Sequence, residues 1–251
     1  MEKKLNEYNF VVNGLEIKAN YHEEDVKEIF LPLLKRWTDL QKEKNKRIFV
    51  FLAAPPGCGK TTLSLFLEML SKEEGYSEVQ AIGMDGFHYT NEYLSNHTFE
   101  EDGKIVCLKK RKGNYATFDK ESLKHKIIEG KEKDNLWPIY SRELHDPIKD
   151  QICLKNDIIL LEGNYLLLNE HGWEDLIDYC DDSIFLYSDI EVLKKRLIKR
   201  KVKGGLSLEE ATKFYLDSDC KNIEKVLYHS HQANIMLEIK ENRFYIKEKN
   251  R

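Results

Sequence analysis

One stretch limits what this chain can fold into. Arg47–Leu67 reads RIFVFLAAPPGCGKTTLSLFL: an apolar, β-prone run, a turn rich in Gly and Pro, then Lys-Thr-Thr opening an apolar helical pattern. Strand, Gly-rich loop and helix in that order make a P-loop, the backbone cradle of a polyphosphate. The residue types answer a physical need. Backbone N–H groups must converge on an anion, so Gly57 and Gly59 supply conformations that side chains obstruct. The expected nucleotide contacts are therefore Pro56, Gly57, Cys58, Gly59, Lys60, Thr61 and Thr62. Lys60 reaches the β- and γ-phosphates, and the Thr61 hydroxyl is offered to Mg2+. The following helix aims the positive end of its dipole at the anion. Ala54 stands where the general pattern opens with Gly.

The rest of the chain supplies strands and helices in alternation. Residues 8–18 alternate around Asn13-Gly14, a hairpin signal. His22–Gln41 carries apolar residues at helical spacing, with Pro32 marking a kink or a restart. Gln41–Arg47 reads as a solvated linker. Glu78–Met84 is a second strand, and Tyr89–Phe118 reads as polar and irregular. Asp119 is the expected N-cap of a helix through Gly130. Strands are expected at Asp157–Leu161, Ser183–Tyr187, Ala233–Lys240 and Arg243–Lys247. A basic helix over Ile190–Lys203 ends at Gly204-Gly205, and a capping box at Ser207–Glu210 opens a long helix. This order predicts an α/β fold, a doubly wound and mainly parallel sheet with helices on both faces. The expected organisation is an N-terminal hairpin and helix over residues 1–46, packed on a P-loop domain over 47–251. Within the latter, an acceptor-binding insert spans about 86–150 and a helical lid about 190–206.

Charge and cysteine usage narrow the function classes. Lys and Arg number 40 against 44 Asp and Glu, a net charge of −4, which gives no support for sequence-blind nucleic-acid binding. No apolar run reaches membrane-spanning length. The five cysteines are scattered without metal-type pairing, and the charged N-terminus lacks an apolar signal core. Both point to a reducing, cytoplasmic setting. Cys58 sits at a helix start, which lowers a thiol pKa; the simpler reading is a small residue tolerated in the loop.

Two carboxylates follow buried-type strands, at the carboxyl edge where α/β sheets keep their ligands. Asp85 can take a proton from a hydroxyl attacking the γ-phosphate or help place Mg2+, and it can also simply cap a turn beside Gly86. Glu162, after DIILL, is placed to hold Mg2+. Arg196 and Arg200 lie one turn apart on the basic helix. They either neutralise charge during transfer or belong to a solvated face shared with five nearby lysines. Tyr140, Arg142 and His145 offer hydrogen bonds to a polar small molecule or serve the fold.

The succession APPGCGKTT, MDGFH, RKGNYATFD, WPIYSRELHDP and LLEGNYLLL, closed by the basic helix, resembles the phosphoribulokinase/uridine kinase family of P-loop kinases. Within that family it is similar to the bacterial pantothenate-kinase-like branch and its nucleoside- or sugar-kinase-like relatives, over about residues 20–240. The resemblance implies a P-loop kinase fold using ATP and Mg2+. By it, Asp85 matches the catalytic carboxylate, Lys60 and Thr61 the phosphate and Mg2+ ligands, and Glu162 the second acid. Arg196 falls in the lid, with Arg200 as the alternative. His88, Arg111, Tyr140, Arg142 and His145 fall with Asp85 in the acceptor-binding segments.

The resulting expectation is a kinase phosphorylating a hydroxyl of a small polar metabolite: a sugar, a pantothenate-like compound or a nucleoside. No nucleic acid or membrane is expected as a partner, and a homodimer is compatible with the pattern. A nucleoside-specific kinase is the nearest alternative. A nucleotide-hydrolysing switch is the alternative of another class, against which the sequence offers no Asn-Lys-x-Asp guanine-reading element.

Overall fold

A computed structural model describes residues 5–12, 15–101 and 103–247. The elements run β1 (Leu5–Val12), β2 (Leu15–His22), α1 (Glu23–Asp25), a π-helical turn Val26–Phe30, α2 (Leu31–Lys44), β3 (Ile48–Ala53) and α3 (Lys60–Glu73). Next come β4 (Val79–Gly83), α4 (Asn91–Asn96), the hairpin β5 (Thr98–Glu101) and β6 (Lys104–Cys107), α5 (Lys120–Glu132), and a second hairpin, β7 (Leu136–Ser141) with β8 (Asp146–Cys153). The chain closes with β9 (Ile158–Gly163), β10 (Asp182–Ser188), α6 (Ile190–Lys203), α7 (Leu208–Phe214), a π turn Tyr215–Asp219, α8 (Cys220–Tyr228), β11 (Ile235–Lys240) and β12 (Arg243–Lys247).

The central sheet has the order β4-β9-β3-β10-β11-β12, parallel except for the antiparallel β12. The expected α/β architecture is what forms. β3 lies mid-sheet and is buried throughout, which explains its unbroken apolar run. Strand alternation then sorts the core into two layers. Ile48, Val50 and Leu52 join Trp37, Leu63 and Phe66 from α2 and α3 on one face. Phe49, Phe51 and Ala53 join Leu123, Ile127 and Trp137 on the other. From β3 the chain crosses to β4 and β9 on one side and then, after β9, to β10 and β11 on the other, so the P-loop stands at a topological switch point, above the carboxyl ends of the strands.

Several local expectations change. The helix after β2 does restart at Pro32, which occupies the first turn of α2, where its missing N–H costs nothing. A π turn immediately before it absorbs the register change. Buried Asp182 ties α2 to the sheet, accepting from Arg36 Nε at 2.7 Å, Trp37 Nε1 at 3.1 Å and Asn234 Nδ2 at 2.7 Å. The stretch 41–47 is not a solvated linker. α2 continues to Lys44, and Arg47 donates to the carbonyls of Asn156 at 2.8 Å and Gly130 at 2.9 Å. Residues 89–118 hold a short helix and a hairpin of four-residue strands, too brief for periodicity to show. β1 and β2 pair as expected, while Asn13-Gly14 lies outside the described residues.

Candidate active site

The P-loop is fixed by its neighbours on both sides. Ala54 is fully buried, so the position needs a small residue rather than glycine. Gly57 (φ 83°) and Gly59 (φ 93°) take left-handed conformations, and a Cβ on Gly57 would stand 3.0 Å from Leu197 Cγ of α6. Pro56, Thr62 and Lys60 remain part-exposed along the loop and the first turn of α3. Cys58 is buried, and burial pushes its thiol pKa up to about 12. That removes the reactive-thiol reading and leaves a space-filling residue.

Period-two geometry places Glu162 on the same face of β9 as Ile158 and Leu160, the face covered by α3. Its Oε1 accepts from Thr61 Oγ1 at 2.8 Å, and its Oε2 lies 3.9 Å from Lys60 Nζ. Burial raises the Glu162 pKa, opposed by the Lys60 charge and the Thr61 hydrogen bond, while Asp85 adds to the rise. A hydroxyl and a buried carboxylate side by side are an oxygen pair fit for a hard divalent cation, whose charge would favour the ionised form of the acid.

Asp85 sits exposed on a 3-10 turn, Met84–Phe87, at the carboxyl end of β4. Gly86 makes the turn possible: a Cβ there would stand 2.3 Å from the Pro138 carbonyl oxygen of β7. Trp137, fully buried, donates Nε1 to the Gly83 carbonyl at 2.9 Å and so fixes the end of β4. The Asp85 carbonyl engages His88 Nδ1 at 2.9 Å. The His88 ring lies 3.8 Å from that of Phe118 and 5.3 Å from that of Tyr140. Burial lowers the His88 pKa against the opposing pull of Asp85. Burial also raises that of Tyr140.

The structure gathers His88 and Tyr140 around Asp85, and brings in Lys112 in place of the expected Arg111. Lys112 Nζ stands 5.1 Å from the Tyr140 ring centroid and donates to Asn91 Oδ1 at 2.8 Å and the His145 carbonyl at 2.7 Å. Arg111 is occupied elsewhere, with Nε on Glu101 at 2.7 Å and Nη1 on the Asp217 carbonyl at 3.1 Å. His145 contributes its carbonyl, while its side chain and that of Arg142 stay exposed in the β7–β8 turn. Nothing in the sequence separates Lys112 from the basic run 109–112.

α6 is amphipathic, with an apolar face turned to the P-loop and a basic face beside it. Leu193 and Leu197 are fully buried against the P-loop. Arg196 is half-buried, near enough that its charge acts on the Cys58 thiol. One turn on, Arg200 is exposed as a residue, and partial burial of its charged end lowers its pKa, with Asp219 and Asp85 opposing and Arg142 reinforcing. Surface hollows of about 560 and 460 Å³ on the outer faces of α7 and α2 share no residue with this region. The chemistry, not the size of a hollow, locates the site.

Residues 49–238 match the model of the phosphoribulokinase/uridine kinase family. The chain belongs to that family. It is 39% identical over 232 residues to an uncharacterised protein, YggC, of Escherichia coli K12, covering 92% of this chain and 94% of that one. A Schizosaccharomyces pombe protein provisionally named a uridine kinase is 34% identical over 184 residues, 71% of this chain and 76% of its own. Among solved structures, a Silicibacter protein provisionally described as a fructose transport system kinase superposes with a TM-score of 0.69 at 27% identity, covering 81% of this chain and 98% of that one. The chain is thus a P-loop kinase for small molecules. No helix among the described residues is long and apolar enough to cross a membrane.

Proposed function

We propose that the chain transfers the γ-phosphoryl group of ATP, with Mg2+, to a hydroxyl of a small polar metabolite in the cytoplasm. The observation that carries this reading is the exposed Asp85 carboxylate on a rigid turn beside the P-loop cluster of Lys60, Thr61 and Glu162. The acceptor oxygen forms its bond to the γ-phosphorus as the bond to the β–γ bridging oxygen breaks, and the hydroxyl proton passes to Asp85. Thr61 and Glu162 would hold Mg2+, which supplies charge neutralisation between the phosphates. Lys60 and the P-loop backbone bind the donor, and Arg196 balances charge developing on the transferring group. Because Leu193 and Leu197 anchor α6, closure belongs to the arginine side chains and to the helix end nearest Gly204-Gly205.

Tyr140, His88 and Lys112 line the acceptor side, with Arg142 at its edge. The aromatic grouping of His88, Phe118 and Tyr140 favours a second reading, an acceptor with a planar base, as in a nucleoside kinase. ADP release measured across sugars, nucleosides and pantothenate tests both. Release that rises only with an added hydroxyl compound supports the kinase, and uridine or its relatives as sole substrates select the second reading. Acceptor-independent hydrolysis controlled by a protein would replace both with a switch.

A further inference from the structure

The basic run 109–112 divides at its end. The 3-10 turn Leu108–Arg111 is anchored by its first residue, which is buried and donates its N–H to the His97 carbonyl at 3.0 Å. The last residue of the turn and the one after it then send their side chains to different partners. Arg111 goes toward the C-terminal helices. Its Nε donates to Glu101 Oε2 of β5 at 2.7 Å, and its Nη1 to the Asp217 carbonyl at 3.1 Å, in the π turn before α8. The two side chains of that ion pair are only 23% and 13% exposed. Lys221 Nζ of α8 stands 3.6 Å from the same Glu101 oxygen. Lys112 goes to the acceptor side, donating to Asn91 Oδ1 at 2.8 Å and the His145 carbonyl at 2.7 Å, with its Nζ 5.1 Å from the Tyr140 ring centroid.

Lys112 is thus bracketed by two anchored neighbours. On its other flank Gly113, at φ 98°, offers its carbonyl to the Tyr165 hydroxyl at 2.7 Å and to Asn222 Nδ2 of α8 at 3.4 Å. The Arg111 carbonyl also accepts the Asn114 N–H at 2.8 Å, which closes the backbone around Lys112. A lysine needs such support, because its four-carbon stem leaves the ammonium free to wander. An arginine is suited to give it: the guanidinium is a rigid fork, and its bond to a carboxylate is charge-assisted. The ammonium has three donors. Two are used among the described residues, which leaves one for an oxygen of a bound molecule.

We infer that Arg111 is a positioning residue: clamped between Glu101 and the Asp217 carbonyl, it fixes the turn that presents the Lys112 ammonium, over Tyr140, to an oxygen of the acceptor. This rests on the proposed reading that Lys112 lines the acceptor side. A cation held in place before the acceptor arrives loses less side-chain freedom on binding it. The loss of Arg111 therefore falls on acceptor binding and leaves the phosphate cradle as it is.

The test compares Arg111→Gln, Glu101→Ala, Lys112→Gln and the Arg111→Gln/Lys112→Gln double variant. The first readout needs no acceptor: the rate at which acetic anhydride acetylates Lys112, followed by peptide mass, with the exposed Lys110 of the same turn as reference. Arg111→Gln should speed acetylation of Lys112 at least about fivefold relative to Lys110, while the Leu108 amide keeps its protection from hydrogen exchange. Glu101→Ala removes one side of the clamp and should move the rate in the same direction. On an acceptor that the wild type phosphorylates, Arg111→Gln and Lys112→Gln should each raise the acceptor KM at least about tenfold, with the KM for ATP within about twofold of the wild type. The double variant should raise the acceptor KM no further. An unchanged Lys112-to-Lys110 ratio in folded Arg111→Gln overturns the inference. Faster acetylation accompanied by loss of Leu108 protection also overturns it, since Arg111 would then only hold the turn folded. So do additive effects on the acceptor KM, which would mark Arg111 as acting independently of Lys112. If no acceptor raises ADP release, the kinase reading fails, and the acetylation and exchange rates still decide whether Arg111 holds Lys112.

Discussion

The proposed nucleotide side of the site and its proposed acceptor side are built on different plans. The first comes from a single run of chain, Ala54–Thr62, completed by one residue, Glu162, from the adjacent strand β9. Its loop is wedged between the sheet and Leu197, and its acid is buried. The second is assembled from Asp85, His88, Lys112 and Tyr140, drawn from separate segments of the chain. Its side chains are mostly part-exposed; Asp85 and His88 follow the edge strand β4, while Lys112 and Tyr140 rest on a 3-10 turn and the β7–β8 hairpin outside the central sheet. A phosphate chain is the same in every reaction of this kind, so its cradle is a fixed backbone shape. An acceptor differs from enzyme to enzyme, and loops carried on a rigid scaffold accommodate that difference.

The sharpest way to break this contrast is at Lys60. Lys60→Ala should lower kcat at least about 100-fold with any acceptor while the protein stays folded, because the residue meets phosphates common to every turnover. Steady-state kinetics with circular dichroism checks it, and normal turnover by the folded variant would remove the P-loop from the chemistry. Arg196→Ala tests the boundary between the two sides. It should depress kcat about tenfold, roughly 1.4 kcal/mol, with a smaller change in ATP affinity by calorimetry. An unchanged kcat would return α6 to a solvated basic face.

The smallest effect expected is a pH dependence of stability at His88. Burial lowers its folded pKa below the ordinary 6.5, so the unfolded chain binds the proton more readily. The contribution of the neutral ring is therefore present above pH 6.5 and lost as pH falls toward the lowered folded value. The melting temperature of the wild type should fall relative to that of His88→Gln as pH is lowered through this window. A constant difference between the two proteins would show that the ring is not constrained as the structure describes.

The same contrast explains what was legible in the sequence. β3, the loop and α3 could be read because an unbroken apolar run, two glycines and Lys-Thr-Thr each have one structural meaning in that order. Asp85 and Glu162 were legible as acids at strand ends. Lys112 was hidden among neighbouring basic residues, and only its place over Tyr140 distinguishes it from Arg111. The helix and hairpin within 89–118 escaped because short elements on a polar surface carry little periodicity. Arg47, read as part of a linker, is held by carbonyls distant in sequence.

The central claim is that Asp85 serves transfer to a hydroxyl and not the binding of ATP. Asp85→Asn keeps the shape of the side chain and removes its capacity to take a proton. The measurement is acceptor-dependent ADP release by this variant, paired with its ATP affinity by calorimetry. With Asp85 in that role, kcat should fall at least about 100-fold while ATP affinity stays within a fewfold of the wild type. Turnover at the wild-type rate would contradict it and reduce Asp85 to a residue of the turn, and a loss confined to ATP affinity would move it to the nucleotide side.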